Sequence, residues 1–125
     1  MFTVAPPLIG IDLVEPQRLQ DRLDRTPALK SELFHPGEIN YSEGQPSPIE
    51  SLAGRFAAKE AVIKALGLDG FDPLDVEVVG GGEQCSVRLH GAAAEQADRL
   101  GLAITISISH ITSVAVAVAA ARARE

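Results

Sequence analysis

The chain has 125 residues, 46% of them apolar and only 4% aromatic, so it can bury one core of Ala, Val, Ile and Leu but not a roomy private cleft as well. Eleven Lys and Arg against seventeen Asp and Glu give a net charge of −6, which excludes a nucleic-acid backbone as main ligand, because such binding rests on neutralising cations. Cys85 is the only cysteine and stands beside three scattered histidines, which excludes an intramolecular disulfide and a single-chain Cys/His zinc site.

Met1 to Pro7 lack the cationic start and apolar run of a signal peptide. No stretch reaches the ~18 apolar residues of a spanning helix, so the sequence predicts a soluble, cytoplasmic single domain over residues 1–125, with no membrane partner. Leu8 to Val14 is a short run apolar on both faces and predicts a buried strand. Glu15 opens a helix with Pro16 in its first turn, running to about Arg25, and a shorter helix follows over 28–34. From His35 to Pro48 the periodicity fails among Pro36, Gly37, Gly44, Pro46 and Pro48, which predicts a loop with one helical turn at most. Ser47, Pro48 and Glu50 have the spacing of a capping box at the head of a helix that runs to Leu66, with Gly67 as its C-cap. Segments 75–79 and 85–90 flank the turn Gly80-Gly81-Gly82 as a hairpin, which no Gly-Lys-Ser/Thr follows to make a phosphate loop. A helix over 92–100 precedes a second hairpin. In it Ile104, Ile106 and Ile108 alternate with polar residues, and Val114, Val116 and Val118 alternate with alanines. That alanine face needs a cover, supplied either by the long helix or by another copy of the chain.

Several residues stand out chemically. A carboxylate at Asp12 in a doubly apolar strand is costly unless something compensates it, and Gly10, two positions back, leaves space beside it for a hard cation and water. The bland reading is a strand-end residue that caps the next helix. On the long helix, Leu52, Phe56, Ile63 and Leu66 form the core stripe, with Glu60 and Lys64 one turn apart on its edge beside Ala53 and Ala57. Such a pair is either a helix-stabilising contact of ~0.3–0.5 kcal/mol or two charges facing an open volume. Lys59 falls inside the stripe, where it either snorkels or meets a buried phosphate or a second subunit. His110 ends the Ile104–Ile108 face and points inward, as a core histidine or a phosphate donor. Arg18, Arg22 and Arg25 share ~60° of arc on the first helix. They read either as a stripe for an acidic partner or as solvated charges paired locally, Asp21 with Arg25.

Together these pieces resemble the holo-acyl-carrier-protein synthases, the small phosphopantetheinyl transferases. The resemblance rests on Ile9-Gly10-Ile11-Asp12-Leu13-Val14-Glu15 with Arg18 following. It rests also on Gly54-Arg55-Phe56-Ala57-Ala58-Lys59-Glu60-Ala61-Val62-Ile63-Lys64-Ala65-Leu66-Gly67, the most specific block, and on Ser107-Ile108-Ser109-His110 followed by Ala115 and Ala117. It implies an α+β fold with an antiparallel sheet packed on one long helix, and a homotrimer with active sites between neighbouring subunits. The implied reaction moves 4′-phosphopantetheine from coenzyme A to a serine of apo acyl carrier protein and releases adenosine 3′,5′-bisphosphate. The resemblance further implies Mg²⁺ held by Asp12 and Glu60, with Glu60 and Lys64 as catalytic residues. Arg55, Lys64 and His110 would hold the coenzyme A phosphates, and Arg18 and Arg22 would meet the carrier protein. Two carboxylates on rigid elements suit Mg²⁺, which takes one or two from protein and completes its shell with phosphate and water. The chain departs from the family at Ile111, at Val114, in the Gly-Gly-Glu-Gln turn and in a glycine-poor loop after Gly67. The departures at Ile111 and in the loops support a second reading, a non-catalytic trimeric module that binds coenzyme A or a carrier protein.

Overall fold

In the computed structural model, which describes residues 8–125, the elements follow the predicted order. They are β1 (Ile9–Val14), α1 (Pro16–Arg25), α2 (Leu29–Leu33), α3 (Pro36–Glu43), α4 (Pro48–Leu66), β2 (Val76–Val79), β3 (Ser86–Leu89), α5 (Gly91–Leu100), β4 (Leu102–His110) and β5 (Ala115–Ala123). The signal-peptide reading of Met1 to Pro7 falls outside the described residues. Within them, no helix is long and apolar enough to cross a membrane.

β5 is the middle strand of an antiparallel three-stranded sheet in the order β1-β5-β4, and β2 and β3 pair separately. The α+β class with an antiparallel sheet packed on one long helix is what the sequence predicts. Pro16, Pro36 and Pro48 each open a helix, where a fixed φ helps and a missing N–H costs nothing. Gly67 closes α4 at φ 71°, with its own N–H on the Lys64 carbonyl and the Leu68 N–H on that of Ile63, so two orphan carbonyls are satisfied.

α4 is a central rod rather than a one-faced surface helix. Ala53, Ala57, Ala58, Ala61 and Ala65 are as buried as Leu52, Ile63 and Leu66, and Phe56 is only half-buried. The alanines let neighbouring backbone come close. A Cβ on Gly10 would stand 1.9 Å from the Ala61 carbonyl oxygen. Gly10 therefore leaves no space for a cation, contrary to the sequence reading, because the α4 backbone fills it. The alanine face of β5 (Ala115, Ala117, Ala119, Ala121) is buried, and of the two covers the sequence allows, α4 is the one that lies on it.

Three further expectations are corrected. β1 is an edge strand with one open face, not a buried strand: Ile11 is 56% exposed, and Ile9 and Leu13 are 66% exposed. Their β5 neighbours on that face are Ala120, Val118 and Val116. Residues 36–43 form a two-turn helix, ordered by tertiary contacts that periodicity cannot show. The expected capping box at Ser47 is absent, since its side chain makes no cap bond. A carboxylate of that kind acts instead at α3, where the His35 N–H donates to Glu38 Oε1 at 2.9 Å.

Candidate active site

The end of β1, the first turns of α1 and the middle of α4 enclose a groove of about 540 Å³. Asp12 enters it from β1, Glu60 from α4, and Arg18 and Arg22 from α1. Period-two alternation puts Asp12 on the helix side of β1 with Gly10 and Val14, while Ile11 and Leu13 point away. Lys64, one turn after Glu60, donates to Asp12 Oδ1 and to the Ile11 carbonyl, both at 3.0 Å. Burial pushes the Glu60 carboxyl above its ordinary range, the Asp12 carboxylate pushes it further, and Lys64 opposes both. Two carboxylates on rigid elements thus share one groove with their negative charge only partly compensated. That donor set fits a hard divalent cation.

The arginine stripe faces solvent. Leu19 and Leu23 bury the other side of α1, and the Arg18 guanidinium lies 3.6 Å from Glu15. Asp21 and Asp24 accept from Gln17 and Gln20 at 2.9 and 2.8 Å, so the expected Asp21–Arg25 pair does not form.

Arg55 and His110 line a different cleft, of about 250 Å³, with Tyr41, Gly81, Gly82 and Cys85 among its walls. It shares no lining residue with the groove. The Arg55 guanidinium is buried, stacks 4.2 Å over the Tyr41 ring, and donates to the carbonyls of Val78 and Gly80. Its Nε is buried with no partner. His110 is exposed, not a core histidine; its Nδ1 lies 3.0 Å from Glu50 Oε1, and hydrogen bonds from Ser47 and His110 hold that carboxyl below its ordinary range. Burial pushes the Cys85 thiol up, against Arg55, which argues against a thiolate nucleophile in the cleft.

A profile described as the 4′-phosphopantetheinyl transferase superfamily matches residues 8–119. The chain belongs to that superfamily. The transferase is 41% identical over 106 residues to the holo-[acyl-carrier-protein] synthase of Moorella thermoacetica, covering 81% of this chain and 82% of the relative. To the Streptomyces coelicolor protein of the same name it is 43% identical over 105 residues, covering 82% and 85%. Among solved structures it is similar to the Chronobacterium ammoniagenes ACPS–CoA complex, with TM-score 0.81, 27% identity, and coverage of 94% and 98%. It is also similar to a Bacillus anthracis holo-(acyl-carrier-protein) synthase in complex with CoA (3′,5′-ADP), with TM-score 0.74, 30% identity, and coverage of 93% and 96%. The chain is thus an enzyme, a phosphopantetheinyl transferase of the holo-[acyl-carrier-protein] synthase kind.

Lys59 of the transferase neither snorkels nor reaches a phosphate or a second subunit. It is 0% exposed, donating to Glu38 Oε1 at 2.8 Å and to the carbonyls of Pro73 and Val76. Glu38 Oε2 accepts from the Val78 N–H at 3.1 Å. One buried ion pair therefore ties α3, α4 and β2 together behind the second cleft. Sequence reasoning missed Glu38 and Tyr41 because both lie in the segment read as loop. Glu50 was read as a capping residue, and nothing in the sequence marks it as the partner of His110.

Proposed function

We propose that the transferase moves 4′-phosphopantetheine from coenzyme A to a serine of apo acyl carrier protein with Mg²⁺, releasing adenosine 3′,5′-bisphosphate. The observation that carries this reading is that Asp12 and Glu60 line one groove with Arg18 and Arg22, and that Lys64 bonds Asp12. Asp12 and Glu60 would hold the ion, which when bound neutralises charge on the pyrophosphate. Lys64 is half-exposed and free to swing from Asp12 to a phosphate oxygen. Glu60 takes the serine proton, directly or through a water. The Ser Oγ–P bond forms as the P–O bond to the adenosine bisphosphate breaks. Arg18 and Arg22 offer charge to an acidic carrier surface.

The active unit is a homotrimer of this 1–125 domain, in the cytoplasm. Two observations support the assembly. Ile9, Ile11 and Leu13 spread a large exposed apolar patch over one sheet face, which a lone soluble chain seldom carries. The Arg55–His110 cleft is separate from the groove within one chain, so the two halves complete each other only across a boundary between copies. Of the departures behind the non-catalytic reading, Ile111 lies in the exposed turn after β4 and lines neither cleft, whereas Val114 lines the groove and Gly81 and Gly82 line the second cleft.

Incubating purified protein with coenzyme A, Mg²⁺ and apo carrier proteins, and weighing the intact carrier by mass spectrometry, tests the reading. It predicts a gain of one 4′-phosphopantetheinyl group that stops when Mg²⁺ is chelated. An unchanged mass across fatty-acid and polyketide carriers would contradict it.

A further inference from the structure

His35, Glu77 and His90 lie outside both clefts and have no part in the transfer chemistry above. His35 stands at the head of α3, Glu77 on β2, and His90 between β3 and α5. Each offers one ligand atom, and these atoms lie within 4.8 Å of one another. His90 Nε2 is 2.9 Å from Glu77 Oε1, and the His35 and His90 ring centroids are 5.2 Å apart. All three side chains are half-buried, close enough to solvent for an ion to enter. The His35 ring is further fixed by a 2.7 Å contact between Nε2 and the Leu74 carbonyl. A nearby ring contact of that kind orients imidazole ligands at metal centres. The competing charge is Arg88, whose guanidinium is 3.6 Å from Glu77 Oε1; it is 63% exposed and can swing into water.

We propose that His35, Glu77 and His90 form a Zn²⁺ site that clamps the β2–β3 hairpin to the start of α3. Two imidazoles and one carboxylate suit a borderline cation at 2.0–2.2 Å from each atom, with a fourth position left to water. They do not suit Mg²⁺, which prefers oxygen ligands. The carboxylate offsets half the charge of the ion. The His90 ring proton moves from Nε2 to Nδ1, so a neutral imidazole supplies the lone pair. The ion would brace the segment carrying Tyr41, one wall of the second cleft. A count of Cys and His alone does not reach a mixed site of this kind.

The test is calorimetric titration of Zn²⁺ into tag-free, chelator-treated protein, repeated with Co²⁺ to read the visible absorption of a low-symmetry site. The expected result is one ion per chain and a melting temperature that rises with free Zn²⁺. His35→Asn and His90→Asn keep a good N-cap residue at each helix, and each should abolish stoichiometric binding, with folding checked by circular dichroism. Glu77→Gln, which keeps a hydrogen bond to His90, should weaken binding at least about tenfold. An Asp12→Asn/Glu60→Gln variant should bind Zn²⁺ at this site as the parent does. No saturable binding, or binding that survives loss of both histidines, would overturn the proposal.

Discussion

Glu60 and Lys59 are neighbours on α4 with opposite fates. Glu60 is half-exposed and its carboxyl is pushed up by burial and by Asp12. The fold therefore binds its proton more tightly than the unfolded chain does. The Glu60 contribution to stability should fall as pH rises from the unfolded value of about 4.3 through the higher folded one, then level off. In metal-free protein, Glu60→Gln should remove that fall, melting higher than wild type at neutral pH and no higher below pH ~4, while losing transfer. Thermal melts across pH check the sign. Lys59 is sealed beneath Phe34 and paired with Glu38. Lys59→Met strands a buried carboxylate and should cost about 3–5 kcal/mol in urea unfolding, whereas Lys59→Met with Glu38→Gln should cost clearly less. Asp12 is conspicuous in the sequence as a charge among apolar neighbours, whereas Glu60 is marked by its place one turn from Lys64 beside Ala57 and by the resemblance of its helix to the family's. Lys59 was conspicuous too, but its partner was not, since Glu38 lies 21 positions away in a segment without periodicity.

At the level of elements, the close seat of β1 on α4 rests on Gly10. A Cβ there would meet the Ala61 carbonyl at 1.9 Å and the Ala65 nitrogen at 2.9 Å, both backbone atoms that cannot rotate away. Gly10→Ala should therefore destabilise by about 2 kcal/mol or more, displace Asp12 and depress transfer. Gly37, helical and with open space around its Cβ position, is the control; Gly37→Ala should be neutral or stabilise by up to ~1 kcal/mol. Denaturant midpoints measure both. α1, α4, the two hairpins and α5 could be read from caps, prolines and period. α3 could not, because its order comes from Glu38 against Lys59 and from Tyr41 against Arg55, contacts between distant segments. The buried reading of β1 failed for a related reason. Alternation shows which residues share a face, but not whether the same chain covers it.

For the whole molecule, the proposed function takes the exposed Ile9, Ile11 and Leu13 together with the two separate clefts: under it the chain is one protomer, and each working site draws on two copies. The most direct measurement pairs two full-length variants, Glu60→Gln and His110→Ala, each expected to be nearly inactive alone. Co-refolded in equal amounts, they should form mixed trimers in which about a quarter of the sites hold both intact residues, so transfer should return to roughly a quarter of the wild-type rate. Mixed trimers that form and stay as inactive as either parent would contradict a site shared between protomers.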